Sequence, residues 1–200
     1  MPYPLVRRLS VFLLLLCLAF AACQPPLEQR EVRDGTTLLR FTARKGSDKR
    51  EGKMLRLNAT GDTVLIESNY RDGKLEGTER FFFSDGKTEI EQTYHNDLLE
   101  GPYIKYYHDG TKAVEAVYHE GKMQGSFRRY YPNGQLREEV QMIADNENGP
   151  FKEFYPNGKL KTEGTYKGGD KEDGPLTMYD STGTLLRRMV CRNGVCKTVQ

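Results

Sequence analysis

Residues 125–134 read Gly-Ser-Phe-Arg-Arg-Tyr-Tyr-Pro-Asn-Gly, and residues 149–158 repeat the pattern as Gly-Pro-Phe-Lys-Glu-Phe-Tyr-Pro-Asn-Gly. The aromatic residues between the two glycines favour a half-buried β-strand. The closing Tyr-Pro-Asn-Gly fits a tight turn, because proline fixes φ, asparagine tolerates the next position and glycine adopts the left-handed conformation. Each segment therefore predicts a strand that runs into a hairpin turn.

The same spacing extends well beyond these two segments. One set of glycines stands 24 or 25 residues apart, and a second set follows each member after nine residues. The first set is Gly52, Gly77, Gly101, Gly125, Gly149 and Gly174, and the second is Gly61, Gly86, Gly110, Gly134, Gly158 and Gly183. A fixed period of this length indicates a repeat protein. It predicts six repeats of about 24 residues within residues 51–196.

Each repeat is expected to be a β-hairpin. A second strand follows the turn, as at 136–142 and 160–166, and further turns at Glu120-Gly121 and Lys167-Gly168-Gly169 return the chain. No segment has the 3.6-residue periodicity of a helix. The predicted fold class is all-β: tandem antiparallel hairpins that stack into one elongated, twisted, single-sheet meander.

The repeat pattern, Gly-x-Phe/Tyr-x-x-Tyr/Phe-Tyr-x-Asn-Gly-x-Leu-x-x-Glu-x-x-Tyr, resembles the bacterial variant of the MORN repeat. More widely, residues 52–196 are similar to YwqK-family proteins, the antitoxins of toxin–antitoxin systems. The central repeats (101–169) fit the pattern well, whereas the first and last depart from it, as capping repeats do. The resemblance implies an antitoxin or immunity protein whose partner is a toxin or effector protein.

Composition differs between the N-terminal segment and the rest of the chain. Residues 1–22 contain Arg7, Arg8 and no acid, which leaves 28 basic residues against 28 acidic ones. A neutral chain lacks the basic surface that nucleic acid requires, so nucleic acid is not an expected partner. Aliphatic residues are few, but 11 Tyr and 7 Phe remain after residue 22 to build a thin, sheet-like core.

The N-terminus has the features of an export signal. Arg7 and Arg8 precede an apolar run of 14 residues, from Leu9 to Ala22, which is too short to span a bilayer. The run ends in Ala21-Ala22-Cys23 and resembles a lipobox, which implies a lipid on Cys23. The alternative is an ordinary cleaved signal with an incidental cysteine. Residues 1–22 are predicted to be a lipoprotein signal peptide and residues 23–50 a tether with one strand at 36–43; residues 197–200 form a C-terminal tail.

Glutamates recur on one side of the second strands. Each stands five residues after a turn glycine, and the set is Glu91, Glu115, Glu139 and Glu163. A regular stack predicts that they form a column, which could bind a cation or a basic partner. The interpretation we favour is a solvated face that nearby cations neutralise, namely Lys105, Arg128, Arg129, Lys152 and Lys161.

Adjacent aromatic residues at the end of each first strand point to both faces of the sheet, since side chains alternate along a strand. The central repeats supply Tyr106, Tyr107, Tyr130, Tyr131, Phe154 and Tyr155. One member of each pair is expected in the core. The other adds an aromatic stripe to the opposite face, and these residues are the candidate partner-binding residues. The alternative is that the rings only cover the edge of the sheet.

Catalytic and metal-binding patterns do not emerge. His95 and His119 are repeat-equivalent turn residues and His108 precedes a turn at the other edge, so exposed turn histidines are favoured over a zinc site, which needs three or four convergent ligands. The sequence has no Ser/His/Asp set, phosphate-binding loop or Gly-x-Ser-x-Gly motif. We therefore expect no enzyme activity, no metal and no cofactor.

Cys191 and Cys196 flank Arg192-Asn193-Gly194-Val195, and Asn-Gly is the preferred two-residue hairpin turn. If Arg192 pairs with Val195, the cysteines lie opposite each other, where a disulfide forms readily. An exported protein retains such a bridge. The alternative is two independent thiols.

These features predict a non-catalytic, lipid-anchored repeat protein of the cell envelope that binds another protein. The outer membrane is the expected location in a Gram-negative bacterium. The alternative function is a structural or glycan-binding component of the envelope.

Overall fold

The structure, a computed structural model, describes residues 25–199, and this part of the chain contains β-strands and no helix. The strands form one antiparallel sheet of seventeen members. Their bounds are Leu27–Asp34 (β1), Thr37–Arg44 (β2), Arg50–Leu57 (β3), Val64–Arg71 (β4), Lys74–Leu75 (β5), Gly77–Phe82 (β6), Thr88–His95 (β7), Leu98–Tyr106 (β8), Lys112–His119 (β9), Lys122–Met123 (β10), Gly125–Tyr130 (β11), Leu136–Ile143 (β12), Asn146–Phe154 (β13), Leu160–Tyr166 (β14), Gly174–Tyr179 (β15), Leu185–Arg192 (β16) and Val195–Thr198 (β17). The all-β fold class predicted from the glycine period is confirmed.

The sheet is a meander in which the strands lie in chain order, and each pairs antiparallel with the strands before and after it. Strands β5 and β6 both pair with β4, and β10 and β11 both pair with β9, so each short strand shares a line with its successor. With about 4.8 Å between neighbouring lines, the sheet is roughly 65 Å long.

The Pro-Asn-Gly turns lie along one edge of the sheet. In the fourth repeat the Tyr131 amide donates to the Gln135 carbonyl at 2.8 Å, and the Gly134 amide donates to the Tyr131 carbonyl at 2.9 Å. Gly134 has a φ of 80°, the left-handed conformation that the sequence predicts for it. A β-bulge lies next to the turn, where the register shifts between Arg129 and Tyr130 and leaves Arg137 as the extra residue on β12.

Two-residue turns lie along the opposite edge. They are Asp72-Gly73, Asn96-Asp97, Glu120-Gly121, Ala144-Asp145 and Asn193-Gly194, and both residues of each have positive φ. This is the type I′ geometry, whose twist matches that of the flanking strands. The amide of the second turn residue also reaches back to the preceding repeat: the Gly121 amide donates to the Leu99 carbonyl at 2.9 Å, and the Asp145 amide to the Met123 carbonyl at 3.1 Å. These turns therefore close hairpins and join repeats.

In the C-terminal repeats, the core lies on one face of the sheet. Its C-terminal cluster consists of Val140, Met142, Phe151, Leu176 and Cys191, all buried. Gly164 also lies on this face, where a Cβ atom would stand 2.7 Å from Leu176 and 2.8 Å from Phe151. Its lack of a side chain lets the Phe151 ring stack on Tyr166 at 4.1 Å between ring centroids. The thin core that the composition indicates is the one observed.

The N-terminal boundary of the sheet differs from the prediction. The predicted strand at 36–43 corresponds to β2, but residues 27–34 form a further strand, so most of the predicted tether is a hairpin. This hairpin pairs with the first repeat through β3. It is stabilised by apolar side chains of β2, since Leu38, Leu39 and Ala43 are buried. The paired-glycine pattern does not extend to this hairpin.

Cys191 and Cys196 form a disulfide, as predicted. They are directly opposed in the register of β16 and β17, next to the pair Arg192 and Val195. Cys191 is buried in the core cluster and Cys196 packs against it. The bridge therefore joins the last hairpin to the core.

Candidate functional site

The two faces of the sheet differ in chemistry. Residues directly opposed on neighbouring strands point to the same face, so the register assigns each side chain to one side. The face that carries Val140, Phe151 and Leu176 is called the core face. The opposite face is called the charged face and is defined by a row of opposed residues: Glu67, Arg80, Glu91, Ile104, Glu115, Arg128, Glu139, Lys152, Glu163, Thr177 and Arg188.

The predicted glutamate column lies in this row. Glu91, Glu115, Glu139 and Glu163 stand on one face at alternate lines of the sheet. Basic residues separate them at two places, because Arg128 is opposed to both Glu115 and Glu139, and Lys152 to both Glu139 and Glu163. Arg128 donates to Glu139 Oε1 at 2.6 Å. Alternation of acid and base therefore neutralises the column locally.

Three of the cations named from the sequence pair elsewhere. Lys105 contacts Glu89 at 3.4 Å, Arg129 contacts Glu138 at 3.5 Å and Lys161 contacts Glu153 at 3.2 Å. The register places Lys105 and Arg129 opposite Val114, outside the row that contains the glutamates. Of the five predicted cations, Arg128 and Lys152 are the two that interrupt the column.

In two repeats, the tyrosine at the end of the first strand bonds to a glutamate of the preceding repeat. The Tyr130 hydroxyl donates to Glu115 Oε2, and the repeat-equivalent Tyr179 hydroxyl donates to Glu163 Oε1 at 3.1 Å. Tyr106 and Glu91 line one shallow groove in the same relative position. Burial, followed by the hydrogen bond to Glu115, raises the pKa of Tyr130 to about 12. This tyrosine is therefore a neutral donor at physiological pH.

The second aromatic residue of each pair joins successive repeats. The hydroxyls of Tyr107, Tyr131 and Tyr155 donate to the carbonyls of Tyr130, Phe154 and Tyr179 at 2.7, 2.9 and 3.0 Å. Asn133 and Asn157 make the same connection beside them, donating to the carbonyls of Pro156 and Ser181. All six predicted partner-binding residues are half-buried. The six residues thus separate into two sets: the first members Tyr106, Tyr130 and Phe154, called the ring column, and the second members Tyr107, Tyr131 and Tyr155, called the hydroxyl ladder, which lies along the Pro-Asn-Gly edge.

A set of turn-capping side chains was not predicted. Glu51, Glu76, Glu100 and Gln124 each accept a hydrogen bond from the first amide of the two-residue turn in the next repeat, at 2.8 to 3.1 Å. A signal for them exists in the sequence. Each glycine of the first set follows an acidic or amide residue, and the full set is Glu51, Glu76, Glu100, Gln124, Asn148 and Asp173.

Two of the three histidines, His95 and His119, contact the same turn-capping glutamates. His119 Nδ1 lies 2.9 Å from Glu100 Oε1, and His95 Nδ1 lies 3.2 Å from Glu76 Oε1. The hydrogen bond to Glu100 raises the pKa of His119, and the Glu120 amide, followed by His119, lowers the pKa of Glu100. His108 lies at the other edge beside Asp85. Within residues 25–199, no three His, Cys, Asp or Glu side chains are arranged to hold a metal ion.

A buried polar cluster interrupts the core face in the N-terminal repeats. Glu79 is buried and accepts hydrogen bonds from Ser68 Oγ at 2.6 Å and Gln92 Nε2 at 2.9 Å. The Gln92 amide also contacts the Tyr94 hydroxyl at 3.0 Å. Burial, followed by the Glu79 charge, raises the pKa of Tyr94. The sequence contains a signal for this polar cluster. Two repeats later, 48 residues after Glu79 and Gln92, the corresponding positions are Phe127 and Val140 of the core.

Comparison with known proteins supports the repeat assignment. Three segments match the MORN repeat variant family: residues 75–96, 123–143 and 147–167. Each segment covers one hairpin of the sheet, namely β6 with β7, β11 with β12 and β13 with β14. No curated protein matches the chain. Between residues 25 and 199 there is no helix with the length and apolar character needed to cross a membrane.

Proposed function

We propose that this protein is a non-catalytic, lipid-anchored interaction module of the cell envelope, and that it binds a protein partner through its charged face. The repeats matched to the MORN variant suggest a binding module built from hairpins. The anchor is proposed from the Ala21-Ala22-Cys23 sequence, which lies outside the described residues. An extended, regular surface of this kind suits contact with another macromolecule.

The observation that carries the proposal is the ring column on the charged face. Tyr106, Tyr130 and Phe154 recur once per repeat, so successive rings stand two lines apart, about 10 Å. The Tyr130 ring is fixed by its hydrogen bond to Glu115, and its neighbours are the paired charges Arg128 and Glu139. Aromatic rings held rigidly among polar residues are typical of the residues that dominate protein–protein binding.

A narrower proposal concerns the partner. The resemblance of the repeats to YwqK-family proteins supports an antitoxin or immunity role, in which the partner is a toxin or effector protein. An exported, lipid-anchored protein would meet such a partner in the envelope. The charged face, which carries both acids and bases, suits a partner whose surface also has mixed charge.

The test uses alanine at two rings of the column. Full-length Tyr106→Ala and Phe154→Ala variants are compared with Tyr107→Phe, which changes a hydroxyl of the hydroxyl ladder instead. Partners are captured from envelope extract by chemical cross-linking and identified by mass spectrometry, and binding of the purified partner is then measured. We expect each ring variant to weaken binding by about 2 kcal/mol, or roughly 30-fold, while Tyr107→Phe retains it.

Stability serves as the control for this experiment. Each variant is melted, and binding is compared only among variants that are folded at the assay temperature. If folded Tyr106→Ala and Phe154→Ala variants bind the partner as tightly as the wild type does, the ring column is not the binding surface and the proposal is rejected.

A further inference from the structure

The last hairpin, β16 with β17, is unusually apolar on its surface. Five of its large side chains are exposed: Leu185, Leu186, Val190, Val195 and the adjoining Val199. Leu186 and Val195 retain 61% and 67% of their full accessibility. The final repeat of a repeat protein normally presents a polar outer side, which keeps the chain soluble. The exposed apolar side chains here indicate that something covers this end of the sheet.

The same hairpin carries unbalanced positive charge. Arg187, Arg188, Arg192 and Lys197 are exposed, and residues 181–199 contain no acid. Within the described residues, none of these four cations makes an ion pair. The N-terminal edge is different, since Arg30 pairs with Glu28 and Asp48, and Arg40 pairs with Glu31. The two ends of the sheet are therefore not equivalent.

The backbone of the terminal edge is also open. Strand β17 covers only the Met189–Arg192 part of β16, and the Val199 amide donates to the Arg188 carbonyl at 3.0 Å. The Leu185–Arg187 part of β16 extends beyond β17. The disulfide between Cys191 and Cys196 fixes the register of β17, so the outer edge is formed before any partner arrives. Such an edge accepts an added strand from another chain.

The charge pattern of the sheet specifies the chemistry of that strand. The row on the charged face ends at Arg188, which lies opposite Thr177 and has no acid beside it. Val190 stands two residues from Arg188 and shares its face, and Leu186, the extra residue of a β-bulge between Leu185 and Arg187, is exposed beside it. A strand placed there would match this surface if it carried acidic residues opposite the arginines and apolar residues opposite Leu186 and Val190.

We propose that β16 and β17 form a docking edge for an extended, acidic segment of another protein, which pairs as an added strand. This edge is separate from the ring column, and the proposal does not depend on it. Acids supplied by the partner would pair with the unpaired arginines, and its apolar side chains would cover Leu186 and Val190. Backbone pairing would supply affinity, and the acid–base match would supply selectivity.

The test uses a defined probe, a fluorescent eight-residue peptide of alternating Val and Glu with blocked ends. Two matched peptides carry either Lys in place of Glu or N-methyl groups on alternate amides, which prevent strand pairing. Binding to the full chain is measured by anisotropy, and contacts are mapped by amide shifts in NMR. We expect the Glu peptide to bind with shifts confined to residues 185–199, and the Lys and N-methyl peptides to bind at least tenfold more weakly.

The protein variants provide the second arm. Arg187→Glu with Arg188→Glu should weaken Glu-peptide binding at least tenfold. Lys74→Glu with Lys122→Glu should leave it unchanged, because these exposed lysines of β5 and β10 lie far from the edge; they likewise make no ion pair within residues 25–199. Wild-type shift mapping decides the outcome if the arginine variant does not fold. The proposal is overturned by equal binding of the Lys or N-methyl peptide, by shifts elsewhere, or by the absence of binding at millimolar peptide. Two further results would overturn the proposal. One is sedimentation of the protein as a dimer that forms through this edge, and the other is binding of the protein to vesicles containing phosphatidylglycerol but not to the Glu peptide.

Discussion

In two of the two-residue turns, a hydrogen bond to the preceding repeat compensates for a strained backbone conformation. Type I′ turns favour glycine, yet Asp97 and Asp145 occupy the second position with φ of 70° and 69°. Each aspartate accepts a hydrogen bond at 2.7 Å from the preceding repeat, from the amides of Leu75 and Met123 respectively. The side chain therefore compensates for a backbone conformation that costs about 1 kcal/mol or more in a residue other than glycine. Replacement by glycine would relieve the strain and lose the connection.

The first prediction concerns the pH dependence of one such turn. The imidazole of His119 donates from Nδ1 to the Glu100 carboxylate, and this contact raises the pKa of the imidazole. A raised pKa in the folded state means that the contact stabilises the fold below the ordinary histidine value, and that this stabilisation is lost as pH rises through the folded-state pKa. NMR titration should therefore give a midpoint for His119 above its ordinary value of about 6.5.

Glu100→Gln should move this midpoint down, because it removes the charge beside the imidazole. Glu28→Gln, at the far N-terminal edge, is the matched control and should leave the midpoint in place. A wild-type midpoint at or below the ordinary value, or one that Glu100→Gln does not change, would show that the contact does not hold the proton. The effect on stability should be small, since the His119 side chain is largely exposed to solvent.

At the scale of the hairpin, the sequence predicts the backbone well and the side-chain connections poorly. Glycine spacing and Tyr-Pro-Asn-Gly chemistry determine the strand and turn positions, because few other residues adopt those conformations. The hydroxyl ladder of Tyr107, Tyr131 and Tyr155 depends on where the carbonyl of the next repeat lies, which only the stacked sheet shows. The sequence therefore predicted that the two members of each aromatic pair differ in role, but not that the second member joins successive repeats through its hydroxyl.

The ladder makes a second prediction about stability. Tyr131→Phe removes the hydroxyl that donates to the Phe154 carbonyl and leaves the ring in place. We expect the free energy of unfolding to fall by about 1 kcal/mol, because a half-buried carbonyl loses its partner. Urea denaturation measures the change. Tyr106→Phe is the control, since no hydrogen bond of the Tyr106 hydroxyl is observed among the described residues. Equal loss in both variants would mean that the hydroxyl ladder does not stabilise the sheet.

At the scale of the whole molecule, the strands follow one another in chain order within a single sheet. The sheet therefore has two ends and two faces, and the two of each kind differ in chemistry. The alternation of residues along each strand predicted the core face, because buried Val140 and Met142 stand two residues apart. It could not predict β1, whose residues lack the paired glycines of the repeats. Nor could it predict which end carries unpaired cations, since that depends on which cations find an acidic partner after the strands align.

The position of β1 has a consequence for the proposed anchor. Cys23 precedes Leu27, the first residue of β1, by four residues, and four residues span at most about 14 Å. A lipid on Cys23 would therefore hold the N-terminal edge of the sheet close to the membrane. The C-terminal docking edge lies at the opposite end of a sheet roughly 65 Å long. The proposed anchor and the proposed docking edge would thus be separated by the whole row of repeats.

The last prediction tests this anchor directly. A clickable palmitate analogue fed to bacteria that express the full chain should label the wild type, because Ala21-Ala22-Cys23 follows Arg7, Arg8 and a short apolar run as in a lipoprotein signal. Cys23→Ser should lose the label and pass from the membrane fraction to the soluble one, while Cys17→Ser, a cysteine inside the signal, should retain both properties. Attachment of several acyl chains gives stable anchoring, whereas one chain holds a protein only marginally. Label that persists in Cys23→Ser, or an unlabelled wild type, would show that the segment is an ordinary cleaved signal.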